Sequence, residues 1–173
     1  SRSATSRKSG VSFVDVIGQT IGNYVVTREV GRGGMGAVYL AEHPRISKQV
    51  AVKVLLPEFG NDAALVQRFF TEAQSATAIK NEHIIDVIDF GESADGQSYI
   101  VMEWLEGKSL ADVIDNESPL PLARVLHIVE GIADALGAAH AKGIVHRDLK
   151  PDNIFLVTRQ GDEDFVKVLD FGV

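Results

Sequence analysis

The densest run of chemically capable side chains is His146-Arg147-Asp148-Leu149-Lys150-Pro151-Asp152-Asn153. A carboxylate at Asp148 can take a proton from an attacking hydroxyl, and Lys150, two residues on, can balance charge on a moving phosphoryl group. Asn153 offers a hard oxygen suited to Mg²⁺. Four fixed residue types at H-R-D-x-x-x-x-N spacing arise by chance about once in a thousand chains of this size, so a solvated loop explains them poorly. Asp170 opens Asp170-Phe171-Gly172 and adds the carboxylate that Mg²⁺ prefers, with Phe171 able to anchor the segment and Gly172 to let it turn. Taken alone, that tripeptide reads as a β-turn.

Gly31-Arg32-Gly33-Gly34-Met35-Gly36 is a G-x-G-x-x-G, whose glycines allow backbone N–H groups close to phosphate oxygens. About 0.13 chance matches are expected at this glycine content, and a tight hairpin turn is the plain alternative. A dinucleotide fold needs a helix after the glycines, whereas residues 37–41 read as strand, so the motif is taken as a strand-to-strand flap. Lys53, in Val50-Ala51-Val52-Lys53, sits on a third strand that could aim its ammonium at phosphate. Its candidate partner is Glu72, which falls on the helical stripe that should be apolar and therefore wants a cation.

These residues need elements to hold them. Residues 24–30, 38–41 and 50–55 read as three successive strands, and 84–90 and 99–103 as two more around a Ser-Ala-Asp-Gly turn. Between them, residues 62–80 carry Leu65, Phe69, Ala73, Ala76 and Ile79 at helical spacing, with Asn61 or Asp62 as N-cap and Asn81 as stop. The expectation is a five-stranded sheet with one helix. A Gly-containing connector at 105–108 leads to a long helix over 120–142, periodic on Leu122, Val125, Val129, Ile132, Leu136 and Ala139 and stopped by Gly143. Gly131 and Gly137 inside it each cost about 1 kcal/mol relative to alanine, so packing must hold it. Two short strands, 154–158 and 165–169, complete the pass.

Composition sets the bounds. The 173 residues are 45% hydrophobic and 24% charged, which suits a folded domain and not a disordered one. With 17 basic and 24 acidic residues the net charge is -7, which disfavours nucleic acid as a partner. Without cysteine there are no disulfides, thiolate ligands or thiol nucleophile, and no two of the five histidines have i, i+4 zinc spacing. No apolar run approaches the ~20 residues that span a bilayer. Residues 1–16 read as a flexible lead-in, and a stop directly after the Asp-Phe-Gly is expected of a piece of something longer.

Together the glycine flap, Lys53, Glu72, the Asp148 cluster and Asp170 occur in one order and resemble the eukaryotic-type (Hanks-type) protein kinase family, over about residues 17–173. The wording around the motifs looks most like bacterial serine/threonine kinases. The resemblance implies an α+β, protein-kinase-like fold: a five-stranded antiparallel N-lobe with one helix at 17–103, then a hinge and the first, mainly helical part of a truncated C-lobe at 104–173. It implies ATP and Mg²⁺ as cofactors, and transfer of the γ-phosphate to Ser/Thr hydroxyls of protein substrates, with no nucleic-acid partner.

Carried over by residue, Lys53 holds the α/β-phosphates and pairs with Glu72, Asp148 is the catalytic base, and Lys150 touches the γ-phosphate and points to Ser/Thr as acceptor. Asn153 and Asp170 bind Mg²⁺. Gly31, Arg32, Gly33, Gly34, Met35 and Gly36 cover the nucleotide, Met102 is the gatekeeper, Glu103 and Leu105 are hinge contacts to adenine, and Val38, Ala51 and Phe155 surround the base. No membrane segment is expected in this piece; its catalytic part is expected in the cytoplasm, although parents in the family often carry a membrane anchor downstream. A nucleotide-binding scaffold and a small-molecule phosphotransferase are the alternatives. The former normally lacks one of Lys53, Asp148 and Asp170, and the latter typically lacks the Arg147-Asp148-Leu149-Lys150 wording. Without the activation loop and later helices, this piece by itself is not expected to phosphorylate protein.

Overall fold

The computed structural model describes residues 16–171, so the lead-in (Val16 apart) and Gly172 lie outside the described residues. β-branched runs broken by glycine and polar turns give six strands: β1 (Thr20–Ile21), β2 (Tyr24–Arg32), β3 (Gly36–Glu42), β4 (Gln49–Leu55), β5 (Val87–Glu92) and β6 (Ser98–Glu103). They form one antiparallel sheet in the order β1-β2-β3-β4-β6-β5. The sixth strand is the two-residue β1, too short to show an alternating pattern. Alternation along β3, β4 and β6 sends Ala37, Tyr39, Ala41, Val50, Val52, Val54, Tyr99 and Val101 into one buried cluster. The opposite face is left to Val38, Ala51, Lys53 and Met102.

Helix α1 (Ala63–Ile79) begins where the Asp62 side chain accepts from the amides of Ala64 and Leu65, and ends with Lys80 in the left-handed region at φ 49°. Phe69, Ala73, Ala76 and Ile79 form its buried face, as the spacing implies. The strand expected from residue 84 begins instead at Val87. Ile84 forms a parallel bridge to Val168, the Ile85 amide donates to Val168 O, and the Val168 amide donates to His83 O at 2.7 Å. Two adjacent isoleucines, both buried, are served by this crossing segment better than by a strand with one wet face.

The second half is built on β7 (Gly107–Ser109), β8 (Ile154–Arg159) and β9 (Asp162–Val168), ordered β7-β8-β9, so the connector contributes a strand of its own. Helix α2 (Leu110–Glu117) is an addition to the expected elements, capped by Ser109, whose hydroxyl accepts from the Asp112 amide. Helix α3 (Leu122–Ala141) buries Ala139, as the spacing implies, and packs Ile132 against the core, but the rest of its buried face is Ile128, Gly131 and Ala135. Leu122, Val125 and Val129 are exposed, Leu122 to 72%. The period is right and the phase is set by small residues, which let β9 approach the helix axis. The main core joins α3, β8, β9, the end of α1, the two isoleucines and Phe171. No helix among the described residues is long and apolar enough to cross a membrane.

The helical glycines separate in consequence. A Cβ at Gly131 would lie 2.9 Å from Val166 Cβ, whereas one at Gly137 meets nothing within 4 Å. Gly131→Ala is expected to lower the unfolding free energy by about 1–3 kcal/mol through overpacking. Gly137→Ala is expected to raise it by about 0.5–1 kcal/mol. Denaturant unfolding reads both, and changes of the same sign would contradict this helix phase.

Candidate active site

Strand β4 places Ala51 and Lys53 on one sheet face, opposite Met102 and Ile100 of β6, while Val38 of β3 stands across from Lys53 in register. The β2–β3 turn is closed by the Gly33 amide donating to Gly36 O at 2.8 Å. A Cβ at Gly36 would lie 2.9 Å from Val54 O, so this glycine serves sheet packing, while Gly31 and Gly34 face open space. That open side is where a phosphate cradle has room. The Arg32 guanidinium folds back on Glu29 at 2.8 Å, which leaves the backbone as the part available to a ligand.

The Lys53 ammonium donates to both Glu72 oxygens, at 2.7 and 3.0 Å, and to Asp170 Oδ1 at 3.1 Å. Three distant parts of the chain therefore meet at one nitrogen. Burial alone would lower the Lys53 pKa, but the two carboxylates outweigh it and the net direction is up. Burial pushes Glu72 up to about 8, opposed by the Lys53 charge and assisted by that of Asp170. At Asp170 burial acts upward too, yet Lys53 prevails and holds it below the ordinary carboxylate range. The Asp170 side chain stays 42% exposed, which leaves its carboxylate accessible to a cation.

The Asp148 loop is organised by His146, which is 2% exposed. Its Nε2–H donates to Leu169 O at 2.7 Å and its Nδ1 accepts from the Asp148 amide at 3.3 Å, with Phe171 tilted against the ring. One imidazole thus ties the Asp148 loop to the segment carrying Asp170, a role that sequence reasoning missed, although His146 stood inside the motif. Arg147 and Asp170 both have positive φ, 64° and 49°, conformations that fix where the neighbouring carboxylates point. Asn153, buried, donates through Nδ2 to Asp148 O (2.9 Å) and Oδ2 (3.3 Å), and Lys150 Nζ lies 3.3 Å from the same Oδ2. Among the described residues nothing donates to Asn153 Oδ1. A free amide oxygen and a part-exposed carboxylate are the donor set that Mg²⁺ takes beside substrate phosphates.

In the connector, the Glu103 amide donates to Asp86 O at 2.9 Å, and the Leu105 amide has no acceptor among the described residues. Phe155 lies half-buried on β8.

A sheet lysine held between a helix carboxylate and a loop carboxylate, below a glycine turn, is the arrangement that a protein-kinase-like fold implies. The comparisons carry this further. The chain belongs to the protein kinase family, since the model of the protein kinase domain matches residues 24–173. Serine/threonine-protein kinase Pkn1 of Myxococcus xanthus is 47% identical over 158 residues, covering 91% of this chain and 22% of that protein. Serine/threonine-protein kinase PrkC of Bacillus subtilis is 42% identical over 159 residues, covering 91% and 24%. The crystal structure of the Mycobacterium tuberculosis PknI kinase domain superposes with a TM-score of 0.73 at 36% identity, covering 90% of this chain and 62% of that one. The chain thus spans about a quarter of the length of these two curated relatives. Protein kinases as a family use ATP and Mg²⁺.

Proposed function

We propose that this chain carries the nucleotide and phosphoryl-transfer half of an ATP-dependent serine/threonine protein kinase. Residues 17–103 act as the N-lobe and 104–173 as hinge and partial C-lobe, a division supported by the two separate sheets. The observation that carries the reading is the convergence of Glu72 and Asp170 on Lys53, which leaves the ammonium beside the carboxylate suited to metal. ATP would lie under the turn formed by Gly31, Arg32, Gly33, Gly34, Met35 and Gly36. Its adenine would sit against the main chain of Glu103 and Leu105, between Val38, Ala51 and Phe155, with Met102 at the back. Asn153 and Asp170 would hold Mg²⁺, which supplies charge neutralisation on the phosphates. Lys53 orients the α/β-phosphates and is itself aimed by Glu72. Asp148 accepts the proton of the acceptor hydroxyl, and Lys150 steadies the γ-phosphate.

Lys150, two residues after the base, is the feature that favours a Ser/Thr hydroxyl. The test is incubation of the full-length polypeptide with Mg-ATP and peptides bearing serine, threonine or tyrosine. Phosphoserine and phosphothreonine without phosphotyrosine is the expected product pattern. Binding of Mg-ATP without transfer would favour the scaffold alternative, and labelling of small-molecule alcohols alone would favour the other.

A further inference from the structure

Lys167 is 8% exposed, and among the described residues it is the one lysine or arginine buried to that degree. Phosphoryl transfer as described above does not use it. Its Nζ donates to Glu103 Oε1 at 2.6 Å and lies 3.4 Å from Ile84 O. The same Oε1 accepts from the Asp86 amide at 2.9 Å, and the Glu103 amide donates back to Asp86 O. One carboxylate oxygen therefore joins three segments: the end of β6, where the connector begins, the crossing segment at 84–86, and β9. Three residues beyond Lys167 is Asp170. Phe155 stands directly opposite Lys167 on β8, so both project from the same sheet face, towards the connector. Val166 and Val168, on the other face, fill the main core.

A third apolar residue would continue Val166-x-Val168 without the desolvation that a buried ion pair demands, so stability alone gives little reason for this pair. Geometry gives one. We propose that Glu103–Lys167 is a positioning pair: it holds the connector peptide at 103–105 in register with the strand that delivers Asp170, so that the adenine seat and the metal carboxylate are set together. This rests on the functional reading above. A cleft of about 940 Å³ behind the connector, lined in part by Thr77, Asp86, Trp104 and Lys167, gives solvent a route to the pair.

The test uses the full-length polypeptide as wild type, Lys167→Met, Glu103→Gln, the double variant, and the reversed pair Glu103→Lys with Lys167→Glu. Trp104, the sole tryptophan, adjoins Glu103 and reports on the connector directly. Lys167→Met is expected to raise KM for ATP about five- to tenfold, with kcat at saturating ATP changed less than about twofold. The double variant should be no worse than Lys167→Met, and the reversed pair should recover most of the loss. In the free protein, Lys167→Met should red-shift Trp104 emission and speed hydrogen exchange at both the Glu103 amide, bonded to Asp86 O, and the Leu169 amide, bonded to Asn153 O.

Additive losses, a fall in kcat alone, or wild-type KM in every variant would each overturn the proposal. If a single variant fails to fold, the double variant, which leaves no buried charge unpaired, decides by the same criteria. A wild type without affinity for Mg-ATP would overturn the functional reading instead. Trp104 emission and exchange in the free protein then still show whether the pair couples connector and strand, and unchanged exchange at Leu169 would show that it does not.

Discussion

Asp148→Asn in the full-length polypeptide is expected to lower kcat by about 10²–10⁴-fold while Mg-ATP affinity changes little. The asymmetry follows from what Asp148 touches. Its Oδ2 is near Lys150 and Asn153, at 3.3 Å each, and an asparagine oxygen can accept from the same donors, so the loop keeps its form. What is lost is the basic lone pair that takes the hydroxyl proton as the new bond forms. Single-turnover kinetics with a serine peptide, set beside calorimetric titration with Mg-ATP, separates the two quantities. Full turnover in the variant would remove the base assignment; equal losses in turnover and nucleotide affinity would make Asp148 a scaffold residue of the loop.

Lys53→Ala is the second large effect. It is expected to weaken Mg-ATP binding by roughly 10- to 100-fold, the size of a charge-assisted contact to phosphate. Removing the ammonium also leaves Glu72 and Asp170 facing each other without a cation between them. Glu72 already has its folded value raised from 4.5 to about 8, so its contribution to stability is complete below the ordinary carboxylate range and is lost as pH climbs through about 8. Lys53 pulls that value down, and without it the loss is larger. Asp170, held low by Lys53, gives up in the variant the stability it contributed above its ordinary value. Both changes have the same sign. The deficit of Lys53→Ala relative to wild type should already be present near pH 5, where the Asp170 contribution is gone, and grow towards about pH 8 as the Glu72 contribution goes, as read by denaturant unfolding along a pH series. Nucleotide affinity unchanged in both Lys53→Ala and Asp170→Ala would defeat the assignment of this centre; a pH-independent deficit would defeat its electrostatic account.

Much of this centre was legible because charged residues stand where a pattern asks for apolar ones. Glu72 interrupts the Phe69–Ala76 stripe, and Lys53 interrupts a run of valines, so each announces a partner. Lys167 carries the same signature in Val166-Lys167-Val168 but lacks a glycine motif nearby to draw attention to it. The contact of Lys53 with Asp170 follows from how two sheets meet, which periodicity along one segment does not encode. Helix α1 was readable from Asp62 and its even stripe. In α3 the large residues Leu122, Val125 and Val129 dominate any hydrophobicity count, while the face that packs is chosen by Gly131, Ala135 and Ala139, whose contribution is to be small. Helix α2 is eight residues long, below the length at which period is measurable, although Ser109 and Asp112 formed a readable capping pair. Ile84 and Ile85 looked like strand because apolar β-branched residues favour strands, and only the presence of β9 shows that they are claimed elsewhere.

The crossing segment has a consequence for how the polypeptide is made. Its partner Val168 and the third member of the lysine cluster are encoded far downstream: Asp170 follows Lys53 by 117 residues. At a synthesis rate of about 5–20 residues per second, that interval is on the order of ten seconds. Throughout it the first sheet and α1 can form on the ribosome, but Ala76, Ile79, Ile84 and Ile85 have no β9 to cover them, and Glu72 shares its lysine with no other acid. The newborn first half therefore presents an oily underside to solvent until β9 emerges to cover it.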